Sequence, residues 1–265
     1  MSEAGKVRVA LLGMSPGDNP NRNLEKCLEM AEQAAMEGAQ IVLPPAMFRA
    51  PYFWGSEDHA NFSLAEPIPG PGTEALSRIA AARNVAIVAP LFEQRAAGVF
   101  HSSAAVIDAG GRLAGVHRQM HLRIDAGSHE GFYLTPGDLG FQAFDTRYGR
   151  VGVLLGWDQW YPEAARIEAL NGARILLCPG AETARDYAAW QAILRGHAIA
   201  NNVFVAAVDR GGKGFVAGPS GQVIAEAGSM AECDLSAVDV MRTHWPFLRD
   251  RRIDAYTGIT RRWID

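Results

Sequence analysis

The run Gly152-Val153-Leu154-Leu155-Gly156-Trp157-Asp158-Gln159-Trp160-Tyr161-Pro162 reads as an apolar strand that stops at a small residue and gives way at once to a helix start. That is the elbow on which hydrolases mount a nucleophile. Here, at Gly156, it presents only hydrogen. Two residues on, Asp158 is either an acid/base group or a local bonding partner of backbone or of an arginine such as Arg166. Histidine suits proton transfer near neutral pH, and His121 and His129 are the candidates. Cys178 closes the apolar run Arg174-Ile175-Leu176-Leu177-Cys178-Pro179. It is either a relocated nucleophile or a small buried hydrophobe, and the lack of an activating acid or base nearby in sequence favours the second. Tyr52, Trp157, Trp160 and Trp190 are candidate aromatic walls for a small-molecule ligand, a polyamine-like cation among them. No Cys or His spacing suits a metal, and no cofactor is expected.

The elbow run resembles the carbon-nitrogen hydrolase (nitrilase) superfamily, most closely its N-carbamoylputrescine amidohydrolase-like branch, in which the position of Gly156 holds a nucleophilic cysteine. The family's glutamate matches Ala46 in Ile41-Val42-Leu43-Pro44-Pro45-Ala46-Met47-Phe48, and its lysine matches Gln119 in His117-Arg118-Gln119-Met120-His121. Flanking motifs carry the likeness further: Phe132-Tyr133-Leu134-Thr135-Pro136-Gly137-Asp138, Asp145-Thr146-Arg147-Tyr148-Gly149-Arg150 and the tail Trp245-Pro246-Phe247-Leu248-Arg249-Asp250. The resemblance implies an αββα sandwich and a C-terminal tail, residues 240–265, that contacts a second subunit. It also places Glu130 where the family keeps a second glutamate that orients substrate, and makes the Trp157 N–H an oxyanion donor. Exchanging a buried Glu, Lys and thiolate together for Ala, Gln and Gly leaves a neutral cavity, which is cheaper to bury than one unpaired charge. The expectation drawn from these positions is a scaffold that no longer performs Cys-dependent hydrolysis and instead binds an amine-, amide- or carbamoyl-bearing ligand or a protein partner. Two alternatives stay open. One is non-hydrolytic acid/base chemistry, a condensation, cyclisation or isomerisation, by Glu130 with His121, His129 or Asp158; the other is residual carbon–nitrogen hydrolysis through Cys178 or direct water attack.

At 265 residues, 48% hydrophobic and 20% charged, the chain has enough apolar content for one core-bearing domain without disulfides or metal. A formal net charge of -4 argues against a nucleic-acid partner, although the stretch from Arg242 to Arg262 is locally rich in arginine. No apolar run reaches the roughly 18 residues needed to span a bilayer. Met1-Ser2-Glu3-Ala4-Gly5-Lys6 lacks a signal-peptide core, so no membrane association and a cytoplasmic location are expected. Cys27, Cys178 and Cys233 are an odd number without disulfide spacing, and Cys27 falls on the apolar face of a helix with Leu24, Leu28, Ala31 and Ala35.

The elements that must position the elbow alternate. Val7–Leu12, a helix ending near Gly38, Ile41–Leu43, a helix around Thr73–Arg83 and Val85–Pro90 form a βαβαβ opening. A hairpin joins Ser103–Asp108 to Leu113–His117 through Ala109-Gly110-Gly111, and Phe141–Phe144 pairs with Val151–Leu154. Helices at Pro162–Asn171 and Asp186–Asn202, the strand Val203–Val208 and a hairpin around Gly218–Gly221 complete a mixed α/β, single-domain pattern. Glu66–Gly72 is expected to be a surface loop.

Overall fold

Strand β1 (Lys6–Leu11) buries Val7, Val9 and Leu11 toward one side and Ala10 toward the other, so its sheet needs cover on both faces. The structure, a computed structural model, describes residues 5–125, 127–180 and 187–263. Helix α1 (Pro20–Met36) starts at Asn19, whose side chain accepts hydrogen bonds from the Asn21 and Arg22 N–H groups, supplying partners that a helix N-terminus lacks. It buries Cys27 and Ala31 as their spacing predicts. Next come β2 (Ile41–Leu43), α2 (Pro71–Arg83) and β3 (Ala86–Ala96). The three strands pair in parallel, which is the predicted βαβαβ opening. Strands β4 (Val99–Ile107) and β5 (Leu113–Arg118) fold back antiparallel.

A small hairpin of β6 (Ile124–Asp125) and β7 (Ser128–His129) leads into the single-turn helix α3 (Glu130–Tyr133). The second half repeats the alternation. Strands β8 (Ala143–Thr146) and β9 (Gly149–Val153) pair antiparallel, followed by α4 (Pro162–Leu170), β10 (Ile175–Pro179), α5 (Tyr187–Asn201) and β11 (Phe204–Val208), with β9, β10 and β11 parallel. Strands β12 (Gly214–Ala217) and β13 (Val223–Glu226) make the predicted closing hairpin. Strand β14 (Met230–Asp234), which periodicity did not single out, returns to pair with β1, and α6 (Ser236–His244) follows.

The result is two six-stranded sheets, ordered β14-β1-β2-β3-β4-β5 and β13-β12-β11-β10-β9-β8. Val9, Ile41 and Val106 of the first sheet meet Val153, Leu177 and Val208 of the second. The outer face of the first packs on Cys27, Ala31 and Leu76 of α1 and α2, and that of the second on Ala165, Leu194 and Ala198 of α4 and α5. This is the αββα sandwich, in one domain. Among the described residues no helix is long and apolar enough to cross a membrane.

Some predicted bounds need correction. The helix expected at Asp186–Asn202 is described from Tyr187 to Asn201; Asp186 lies outside the described residues, as do Met1–Ala4 and the last two residues of the 240–265 tail. The Glu66–Gly72 stretch is not a plain surface loop. Glu66 is buried, and its carboxylate accepts from the Gly72 N–H and from Arg49, which ties the start of α2 to the turn after β2.

Candidate active site

Strand β9 ends beside β10, where the Leu154 N–H donates to Leu177 O at 3.0 Å. The chain then makes a 3-10 turn, Gly156–Trp160, before α4, which starts at Pro162 as expected. Gln159 pins this turn: its Nε2 donates to Leu154 O and Pro179 O, both at 2.9 Å, and its Oε1 accepts from Trp190 Nε1 at 2.7 Å. Trp190, expected as a cavity wall, is therefore a core residue packed on Phe215. Gly156 has φ +55°, a left-handed conformation that disfavours any side chain. A Cβ there would stand 2.5 Å from Gln119 Oε1, because the Gln119 carboxamide covers the glycine.

Gln119, at the end of β5, is 1% exposed. Its Nε2 donates to His121 O at 2.9 Å and to Glu130 Oε2 at 3.0 Å. Its Oε1 is buried without a hydrogen-bond partner. Leaving a buried acceptor unpaired costs about 1–3 kcal/mol. Glu130, the first residue of α3, is buried and also accepts from the Arg123 N–H at 2.8 Å. The Arg123 guanidinium lies 5.2 Å from the Trp157 ring centroid, which puts a cation over the residue after Gly156. Sequence reasoning passed over Arg123, whose only signal was its place between His121 and Glu130.

Asp158 does not bond Arg166, whose Nη2 donates instead to Ala200 O. It is fully buried and takes His117 Nε2–H at 3.0 Å, His121 Nδ1–H at 2.7 Å and the N–H groups of Met120 and His121. A carboxylate only accepts, so both imidazoles donate to it. Burial pushes its pKa up, but the hydrogen bonds from the two histidines outweigh that and hold the carboxyl below the usual range. His121 also stacks on Tyr161 at 3.6 Å and 7°. The cluster fixes the strand end carrying Gln119 against the turn carrying Gly156. His117 was legible only as part of a motif; no spacing linked it to Asp158 across 41 residues.

The remaining sequence candidates separate. Ala46, buried after β2, donates its N–H to Gly180 O. Tyr52 and Trp160 are partly exposed, and Trp160 lies 5.8 Å from Trp157. His129 pairs with Glu57 at the surface at 3.1 Å. Cys178 is not a wall of the site: it is 0% exposed within the core beneath α4 and α5, and burial together with Glu168 pushes its thiol well above the ordinary range, so no thiolate forms. Among the described residues no group of three His, Cys, Asp or Glu side chains is arranged to hold a metal.

Against this geometry, residues 8–245 match the carbon-nitrogen hydrolase family model. The citrullinase of Francisella tularensis is 35% identical over 97% of this chain and 99% of its own. The N-carbamoylputrescine amidase of Solanum lycopersicum is 34% identical over 94% of this chain and 93% of its own. The crystal structure of a carbon-nitrogen hydrolase from Helicobacter pylori superimposes with a TM-score of 0.90, at 36% identity, covering 98% of this chain and 100% of that one. These relatives overturn the expectation of a non-catalytic binder, and with it the alternative of a site turned to condensation or isomerisation. That expectation weighed three positions, whereas the likeness to named amidases runs through nearly the whole chain.

Proposed function

We propose that this chain, which belongs to the carbon-nitrogen hydrolase family, hydrolyses a carbon–nitrogen bond of a small carbamoyl- or amide-bearing molecule at the Gly156 elbow. The observation that carries the reading is Gln119 Oε1, a buried acceptor without a partner that lies against Gly156 while the same carboxamide donates to Glu130. A terminal carbamoyl or amide NH2 supplies the donor this oxygen lacks. Ala46, Gln119 and Gly156 occupy the positions the resemblance gives to the family's Glu, Lys and Cys, so on this reading the attacking atom is a water oxygen.

Glu130 takes a proton from that water as its oxygen bonds to the carbonyl carbon. The Trp157 N–H at the elbow, with Arg123 over its ring, stabilises the charge that develops on the carbonyl oxygen. Glu130 then returns the proton to the departing nitrogen, the C–N bond breaks and ammonia leaves. A carbamoyl amine would yield carbamate, which decomposes to amine and carbon dioxide; an amide would yield a carboxylate. The names of the relatives favour a terminal carbamoyl group on a short amine-bearing chain. His121 and Asp158 hold Gln119 in place, and Tyr52, His129, Trp157 and Trp160 are the proposed contacts for the rest of the ligand.

The same reading includes a second copy of the chain, packed on the exposed Trp245, Phe247, Ile253, Tyr256 and Trp263 of the tail, and a reducing cytoplasmic setting, supported by three buried, unpaired cysteines. The test is ammonia release from N-carbamoylputrescine, citrulline and a simple primary amide. Wild-type protein should release ammonia from at least one of them, and Glu130→Gln should lower the rate by about 10²-fold or more with an unchanged circular dichroism spectrum. Release no faster than from heat-denatured protein, or an unaffected Glu130→Gln variant, refutes the assignment.

A further inference from the structure

Arg210 sits two residues beyond β11 in the second sheet and is 6% exposed. It reaches into the turn after β2 of the first sheet, where Nη1 donates to Ala46 O at 3.2 Å and Met47 O at 2.7 Å, and Nη2 to Ala50 O at 2.9 Å. All three bonds go to carbonyl oxygens and none to a carboxylate. Burial pulls its pKa down to about 10, which leaves it charged at neutral pH. Keeping a guanidinium this sheltered is costly, and only a planar fork of fixed donors could serve three carbonyls of one turn.

The turn itself has reason to need holding. Met47 has φ +54°, a left-handed conformation that a residue with a side chain adopts only when its surroundings impose it. Its carbonyl makes the shortest of the three Arg210 bonds. On the opposite side Asn23 Nδ2 donates to Arg49 O at 2.9 Å and Arg49 pairs with Glu66 at 2.8 Å. The carbonyls of residues 46, 47, 49 and 50 are thus all held by side chains from distant segments. Ala46 lies at the head of this turn and Tyr52 two residues past it.

We infer that Arg210 is a positioning residue that locks the 46–50 turn across the two sheets and so sets where Ala46 and Tyr52 stand on the wall of the substrate cavity. The inference rests on the proposed function for the role of that wall, but the conformation of the turn can be measured without it. The loss of Arg210 frees three carbonyls and releases Met47 from its strained geometry, so the wall loosens while both sheets remain paired.

The experiment compares wild type with Arg210→Met, Arg210→Ala and Arg210→Lys. Amide hydrogen exchange is read by segment, and KM and kcat are read from ammonia release with the best of the three substrates. In Arg210→Met, exchange across residues 46–53 should quicken by about tenfold or more, with β9–β11 unchanged. KM should rise by about tenfold and kcat stay within about twofold. Arg210→Lys should resemble Arg210→Met, since it keeps the charge and loses the fork, and added guanidinium ion should partly reverse both effects in Arg210→Ala. A purely structural role predicts faster exchange throughout the molecule and a lower kcat at constant KM; either that pattern or unchanged exchange at 46–53 overturns the inference. If wild type releases no ammonia, the proposed function fails, and the exchange measurement alone decides the role of Arg210.

Discussion

Glu168 is the group whose behaviour most sharply tests the physical reading of this core. It lies on α4, fully buried, and faces β9 so closely that a Cβ on Gly152 would fall on its Oε2. Neither oxygen has a hydrogen-bond partner of good geometry. Burial pushes its pKa well above the ordinary 4.5, the Asp158 charge adds to the effect, and the Val153 N–H offsets only part of it. The native state therefore holds a proton that the unfolded chain gives up above about pH 4.5. In that window the native state binds one proton more than the unfolded state, so unfolding free energy falls by about 1.4 kcal/mol per pH unit until the native pKa is reached. Each pH unit in that window is worth about 2–5 °C in Tm for a chain of this size. Glu168→Gln keeps the shape and cannot ionise. Urea unfolding midpoints of both proteins, at one protein concentration from pH 5 to pH 8, should show the variant's advantage growing with pH and then levelling off. Parallel curves across that range would refute the claim that a neutral carboxyl is stored beneath the elbow.

Four further outcomes follow from the geometry. Gly156→Cys alone should cost about 2–4 kcal/mol in denaturant unfolding, since the new side chain meets Gln119 at a positive φ; Gln119→Ala in the same chain should recover part of it. The triple change Ala46→Glu, Gln119→Lys and Gly156→Cys should then trap an acyl adduct of an amide or carbamoyl substrate, seen by mass spectrometry, and a well-folded triple variant without adduct would mean the cavity has a different shape. Cys27, Cys178 and Cys233 are buried, with Cys233 pushed up to about 12, so iodoacetamide at pH 8 should label none of them in the folded protein; rapid labelling of Cys178 alone would restore it as a reachable nucleophile. Removing the chain from Pro246 onward should lower the molar mass found by light scattering, and an unchanged mass would rule the tail out as a subunit contact.

The parts of the fold that were legible are those where burial repeats along the chain. Val7, Val9 and Leu11 alternate with Ala10, and Cys27 and Ala31 recur a helical turn apart, because each element must hide one or two faces. Strand β14 escaped notice because only Ala231 and Cys233 are fully buried in it, too short a run to stand out. Its pairing with β1 spans more than 200 residues, and nothing local encodes that. The elbow was legible as a strand stopping at glycine, but the five-residue turn after it was not, since Gln159 holds it through bonds to Leu154 and Pro179 that a sequence cannot display.

The site shows the same division more sharply. Reading Ala46, Gln119 and Gly156 one position at a time treats each as a loss, and that is why the chain first reads as a non-catalytic binder. In three dimensions Gln119 and Gly156 are a coupled pair. The carboxamide can lie over the half-buried Gly156 only because no Cβ is there. Either residue changed alone leaves an overlap or a hole; together they pack closely and leave one buried acceptor without a partner. Glu130 and the His117–Asp158–His121 cluster then fix that acceptor from behind, through residues as much as 41 positions apart. Spacing along the chain locates the elbow; only the packing shows that the buried Gln119 carboxamide covers it.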